Sequence, residues 1–257
     1  MKSKLIILGC GSSVGSPRVD GFWGNSDKKE KKNYRTRCSA IIIKGNNSIL
    51  IDTSPDLRQQ LLANNIKNIS SVIYTHEHAD QTNGLFELRP FFWKNKKKIN
   101  IYGNSLTMKH LKKANEYLFR KITSYPAIVK SNIAKSQFSL GKNNEKVNFK
   151  SIKVKHGQTS CLAYIFEKTA YISDCSDLSI IQLNEFKNLN NLVIDCLKYT
   201  KHPTHFNLDE SLFVHHQLKP KKTILTNLHH DLDYNKLFKK LPKNVIPAYD
   251  GLKINLN

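Results

Sequence analysis

Thr75-His76-Glu77-His78-Ala79-Asp80-Gln81 is the most informative run in this chain of 257 residues. Two histidines at i and i+2 and a carboxylate at i+4 leave the end of Ser71-Val72-Ile73-Tyr74, an apolar run that reads as a buried strand. Imidazole nitrogens and a carboxylate oxygen gathered this closely are the donors that a borderline-soft divalent cation prefers. A lone His-x-His-x-Asp also arises by chance on polar loops. Its weight therefore depends on what the rest of the chain can bring to the same place.

The elements that would do so are short. Leu5–Leu8, Ala40–Ile43 and Ile49–Ile51 read as strands, with Gly45-Asn46-Asn47 as the turn between the last two. Asp56–Asn64 reads as a helix, with Pro55 at its start and Leu57, Leu61 and Leu62 as its apolar stripe. Gly84–Trp93 is apolar and mixed. Ile99–Tyr102 reads as a strand and Ser105–Phe119 as one helix. Residues 120–150 give no clear pattern. Strands dominate from residue 151 until a helix at Leu178–Phe186. A strand at Leu192–Ile194, a helix at Leu208–Gln217, a strand at Thr223–Thr226, a helix around Tyr234–Leu241 and a closing strand near Leu252–Leu256 complete the pattern. Strands with interspersed helices suggest two sheets with helices outside.

Size and composition bound the reading. The chain is long enough to bury a sizeable core, and with no linker or repeat visible it reads as one domain over residues 1–257. Five scattered cysteines without a CxxC pair fit a reducing compartment and argue against a cysteine zinc site. The apolar stretch before Cys10 is too short for a signal core, which is ~7–15 residues. No run approaches the ~20 apolar residues of a membrane span. We therefore expect a cytoplasmic protein. The net charge of +21 invites a nucleic-acid partner. Lysine dominates it, alongside plentiful Asn and Ile, as an AT-rich coding background would produce. Charge supplies attraction without chemistry, so nucleic acid is not favoured as the substrate.

The metal run resembles the His-x-His-x-Asp-His motif of the metallo-β-lactamase superfamily, with Gln81 where the family has its last histidine. The likeness extends along the chain. Gly9-Cys10-Gly11-Ser12-Ser13-Val14-Gly15-Ser16-Pro17-Arg18 resembles the N-terminal glycine-rich turn of the branch that includes phosphoribosyl 1,2-cyclic phosphate phosphodiesterase. Asp52, Gly84-Leu85-Phe86-Glu87-Leu88-Arg89, Ser173-Asp174, His202-Pro203-Thr204-His205-Phe206-Asn207-Leu208-Asp209 and Tyr249-Asp250-Gly251 are similar to further segments of that branch. The cysteine cluster that holds its structural zinc is missing from Gly21-Phe22-Trp23-Gly24-Asn25-Ser26-Asp27, so no structural zinc is expected.

The resemblance implies an α+β fold, a four-layer αββα sandwich, and two divalent metal ions, zinc or manganese. His76, His78 and His156 would bind the first ion. Asp80 would bind the second, Asp174 would bridge both, and His229 would complete the site. His156, Asp174 and His229 each follow a β-rich run, the last being Lys222–Leu228. Asn227, His229 and His230 lie in one loop; His229 is preferred as an imidazole, with His230 next and Asn227 as the ungapped alternative. The amide of Gln81 suits hard ions better than zinc, so a weaker second site is expected.

The implied activity is that of a phosphodiesterase acting on a small cyclic or nucleotide-like phosphate ester. Asp80 and His205 would be its catalytic residues, His205 as general acid. Asp52 would steady a ligand imidazole, and Ser12, Ser13 and Arg18 are weaker candidates for phosphate contacts. His110, His215 and His216 are expected on helix surfaces or in packing, and His202 in the turn before Pro203. A transfer-RNA 3′-processing endonuclease shares the metal core and would use the basic surface. It grips RNA with a glycine- and proline-rich arm, which this sequence lacks. A binding protein with a degenerate second site is a third reading. The branch implies homodimers, although the sequence carries no interface signal.

Overall fold

Leu5 and Ile7 pack into one apolar layer while Ile6 and Leu8, their neighbours in sequence, pack into another. The same division separates Ile49 and Ile51 from Leu50. Successive side chains of a strand point to opposite faces, so an all-apolar strand must be covered on both sides.

The structure, a computed structural model, describes residues 2–256. Its strands are β1 (Ser3–Gly9), β2 (Ser39–Lys44), β3 (Asn47–Ile51), β4 (Ser71–Ile73), β5 (Ile99–Gly103), β6 (Val129–Ile133), β7 (Gln137–Leu140), β8 (Val147–His156), β9 (Thr159–Phe166), β10 (Thr169–Ile172), β11 (Asn191–Asp195), β12 (Lys222–Thr226), β13 (Val245–Pro247) and β14 (Leu252–Asn255). Its α-helices are α1 (Leu57–Ala63), α2 (Ala79–Thr82), α3 (Arg89–Asn95), α4 (Ser105–Ala114), α5 (Glu116–Phe119), α6 (Ile180–Glu185), α7 (Leu208–Leu218) and α8 (Tyr234–Lys240).

The strands form two sheets of seven, ordered β14-β1-β2-β3-β4-β5-β6 and β13-β12-β11-β10-β9-β8-β7. Each sheet is half antiparallel and half parallel, the parallel halves being β3 to β6 and β10 to β13. The middle apolar layer joins Leu5, Ile42 and Ile51 of one sheet to Phe149, Tyr164 and Val193 of the other. Outside the first sheet lie Leu57 and Leu61 of α1 and Met108 and Leu111 of α4. Outside the second lie Val214 of α7 and Leu237 of α8. The architecture is the expected four-layer αββα sandwich.

Several boundaries differ from expectation. The segment 120–150 holds β6 and β7, both half-exposed. Exposed strands dilute the apolar signal. The helix expected over Ser105–Phe119 divides into α4 and α5 at Asn115, whose φ of −133° leaves the helical region. β12 ends at Thr226, where the strand was expected to end, and Asn227 then turns the chain with a φ of +60°. That turn decides which residue reaches the site.

The parallel strands deliver the chemistry. In α/β sheets ligands bind beyond the carboxyl ends of parallel strands. Here Asp52 follows β3, Thr75 and His76 follow β4, Asp174 follows β10, Asp195 ends β11 and Asn227 follows β12. β8 pairs antiparallel with β9, and β9 with β10. β8 therefore runs with β10 and brings His156 to the same rim.

Candidate metal centre and active site

Buried hydrogen bonds fix the imidazoles. Thr75 donates its N–H to Asp52 Oδ1 and its hydroxyl to Asp52 Oδ2, both at 2.8 Å. Its hydroxyl proton is thereby committed, so Thr75 Oγ1 accepts from His76 Nδ1 at 3.0 Å. His76 Nε2 is left as a bare acceptor, buried and without a hydrogen-bond partner among the described residues. Burial pushes the His76 pKa down to about 4, which keeps the ring neutral. Asp52 thus steadies the His76 imidazole through the Thr75 hydroxyl.

His156 donates from Nδ1 to the Thr204 carbonyl at 2.8 Å. Its Nε2 faces His78 Nδ1 at 3.3 Å. The His76, His78 and His156 nitrogens all lie within 4.8 Å of one another. Asp174 joins from below: it groups with His76 on one side and with His156 and His205 on the other, and its Oδ2 is a buried acceptor without a partner. Unpartnered buried acceptors are costly in a dry interior. Imidazole lone pairs and a carboxylate oxygen aimed at one point are the donor set a divalent cation satisfies. The residues present fit a metal at that position.

Asp80 lies in α2, half-buried, and burial together with the neighbouring Asp174 charge raises its pKa. Gln81 donates Nε2 to Asp80 Oδ2 at 3.3 Å, while its Oε1 is buried and unpartnered.

His229 groups with His230 and Asp231, not with the His76, His78 and His156 donors. Its Nδ1 bonds Asp231 at 2.9 Å and its ring lies 3.6 Å from that of His230. Arg35, itself buried, holds this loop by donating to the carbonyls of His229 at 3.1 Å and Leu232 at 2.5 Å. His229 borders the pocket, but Asn227 reaches the centre. Asn227 Nδ2 lies 3.4 Å from Asp174 Oδ1, 3.1 Å from Asp195 Oδ1 and 3.1 Å from His205 Nδ1. The residue directly after the strand end takes the site position, as Asp52 does after β3, and with the same φ of 60°.

His205 stands where the resemblance puts it, beside Asp174 and His156. Its partner Asp195 was not singled out in the sequence. Asp195 is fully buried, and its Oδ2 lies 2.8 Å from His205 Nδ1 and accepts the Cys175 N–H at 2.9 Å. Burial pulls the His205 pKa down, but the Asp195 carboxylate outweighs it and holds the ring at about 9. Burial raises Asp195 to about 6 against the opposing pull of His205. An acidic residue closing a β-rich run, Leu192-Val193-Ile194-Asp195, was the available signal. Cys161 of β9 also enters the centre, within 4.8 Å of His76 and Asp174 donors.

These groups open into a pocket of about 930 Å³, bordered by Ser12, Ser13, Lys155, Lys198 and His202. Ser12 Oγ is buried without a partner. Arg18 is not on the pocket wall; it pairs with Asp20 and lies over the Phe22 ring. His110 and His216 are exposed, and His215 is buried with Nδ1 on Thr223 Oγ1 at 2.9 Å.

Comparison with known proteins agrees with this geometry. The family described as "Beta-lactamase superfamily domain" matches residues 47–229, and the chain belongs to it. Fold, family and donor cluster define a metal-dependent hydrolase of the metallo-β-lactamase fold. A crystal structure of a diphosphatase from the PhnP family is 30% identical, with a TM-score of 0.89 over 99% of this chain and 97% of that one. Zinc-bound PqqB from Methylobacterium extorquens shares the fold at 15% identity and a TM-score of 0.77, over 98% of this chain and 99% of that one. Human tRNase Z, short form, shares it at 15% identity and 0.70, over 99% of each chain. An octanoyltransferase of Porphyromonas gingivalis is 28% identical over 253 residues, covering 97% of this chain and 51% of that protein. The chain thus spans about half the length of that curated relative. Among the described residues, no helix is long and apolar enough to cross a membrane.

Proposed function

We propose that the protein hydrolyses a small phosphodiester or diphosphate ester. The observation that carries this reading is the His205–Asp195 pair, 2.8 Å apart and beside the three-histidine cluster. A divalent cation held by His76, His78, His156 and Asp174 would supply Lewis-acid polarisation of a phosphoryl oxygen and acidify a water.

The side chains supply the rest. Asp80, with a raised pKa, faces the same centre and is placed to orient the attacking water and take its proton. His205 is held protonated by Asp195 and gives its Nε2 proton to the leaving oxygen. Lys155 and Lys198 on the pocket wall attract a phosphate-bearing substrate. The PhnP-family diphosphatase, similar over nearly the whole chain, supports a phosphate-ester substrate.

Two other chemistries have less support. Acyl transfer through a cysteine would need an accessible, acidic thiol. All five cysteines are buried, and burial pushes their pKa values up. RNA end-processing would need a gripping arm, whereas residues 120–150 contribute β6, β7 and the start of β8.

The test is hydrolysis of a generic aryl phosphodiester and of a dinucleoside diphosphate with added Mn²⁺, against Asp80→Ala. Turnover that disappears in the variant is expected. Equal rates in both proteins, or cleavage of only thioesters or β-lactams from a parallel panel, would sink the proposal.

A further inference from the structure

We propose that this centre holds one metal ion per chain, because two carboxamides, Gln81 and Asn227, stand in place of the donors of a second. The inference rests on the metal-dependent reading above, and it concerns stoichiometry alone.

The two sides of the centre differ in what they leave unsatisfied. On the first side, His76 Nε2 and Asp174 Oδ2 are buried acceptors without partners. There His156 Nε2 and His78 Nδ1 face each other at 3.3 Å, and the other nitrogen of His156 is already bonded to the Thr204 carbonyl. Three imidazole nitrogens and a carboxylate oxygen converge there, and of these His76 Nε2 and Asp174 Oδ2 have no other partner among the described residues.

On the other side, the carboxylates already have donors. Gln81 Nε2 donates to Asp80 Oδ2 at 3.3 Å. Asn227 Nδ2 lies between Asp195 Oδ1 at 3.1 Å and Asp174 Oδ1 at 3.4 Å. Amide N–H groups carry partial positive charge and supply part of what a cation would supply to those oxygens. His205, which borders this space, has its Nδ1 on Asp195 at 2.8 Å. His229 is turned away onto Asp231. On this side the unpartnered acceptor among the described residues is a neutral oxygen, Gln81 Oε1. Neutral amide oxygens are poor ligands for zinc and need several carboxylates beside them to hold a hard ion.

The amides therefore act as fixed donors. They hold Asp80, Asp174 and Asp195 in place and keep the second position free of metal. Asp80 is left to work as a base, and Asp174 serves the first position only.

Metal content decides this without substrate. Stripped protein is reloaded separately with Zn²⁺ and with Mn²⁺, desalted, and assayed by mass spectrometry and calorimetric titration. One equivalent per chain is expected with either ion. The double variant Gln81→His/Asn227→His, checked for fold by circular dichroism, is expected to take up a second. Two tightly held equivalents on the unaltered chain with either ion would overturn the inference. So would a folded double variant that keeps the first equivalent and gains no other. A wild-type chain with one equivalent and no phosphoester turnover would uphold this inference while removing the proposed substrate class.

Discussion

Asp195 Oδ2 lies 2.8 Å from His205 Nδ1 in a site where the carboxylate is fully buried and the imidazole opens to the pocket. Asn227 and the Cys175 N–H hold the carboxylate from other directions. The arrangement fixes the ring, directs Nε2 outward and favours the imidazolium. Asp195→Asn keeps the shape and removes the charge. Its kcat on the best phosphoester is expected to fall by about 10²–10⁴-fold, the range for loss of general acid catalysis. KM and metal content are expected to stay within a factor of a few. A kcat close to wild type would show that His205 is not the proton donor.

The Asp52–Thr75–His76 chain makes a different prediction. Thr75→Val has nearly the same shape but leaves Asp52 Oδ2 and His76 Nδ1 without their partner in a site closed to water. Removing the outer partner of a ligand histidine typically weakens metal binding by about 10–100-fold. The orphaned groups are expected to cost about 1–3 kcal/mol of stability as well. Chelator competition and thermal melts of the metal-free and loaded protein measure the two effects. Unchanged metal affinity would mean that Thr75 only packs.

Much of this centre was legible in the sequence because its donors immediately follow apolar runs. His76, His78, His156 and Asp174 leave strand ends that period and length announce. Asn227 was harder to see. An imidazole two residues on is the more familiar ligand, and nothing local shows that the residue after Thr226 turns left-handed. Asp195 carries no motif and acquires its role only when β11 sets it beside His205. β6 and β7 escaped because they are half-exposed, and β13 because it is only three residues long. The apolar core strands, which face buried layers on both sides, did not.

Gly157 follows His156 with a φ of +59°, and a Cβ there would lie 2.5 Å from Thr204 Cγ2. The Thr204 carbonyl is what holds His156 Nδ1. Gly157→Ala therefore strains its own backbone and displaces the anchor of the His156 imidazole. A stability loss of about 1–3 kcal/mol is expected from the backbone and crowding together, with weaker metal binding. Adding Thr204→Ser removes the crowding methyl but not the backbone strain. The double variant should recover metal affinity more than melting temperature. If the second change restores nothing, the link from Gly157 to His156 through Thr204 is wrong.

Asp250 binds three segments together far along the chain from one another. Its Oδ1 accepts the Cys10 N–H at 3.1 Å, and its Oδ2 accepts the Thr36 N–H at 2.7 Å and the Thr36 hydroxyl at 2.6 Å. Cys10 ends the approach to Ser12 and Ser13 on the pocket wall, while Thr36 accepts the Gly11 N–H through its carbonyl at 2.8 Å. The carboxylate thus closes the base of the loop that carries the serines, without touching the histidine cluster. Asp250→Asn keeps one acceptor oxygen and turns an amide N–H toward backbone donors. That mismatch is expected to cost about 1–3 kcal/mol, read as a lower denaturant midpoint at unchanged slope. KM is expected to rise as the serine turn loosens, while metal stoichiometry stays as in the wild type. Loss of bound metal in a folded Asp250→Asn protein would instead tie this carboxylate to the centre itself.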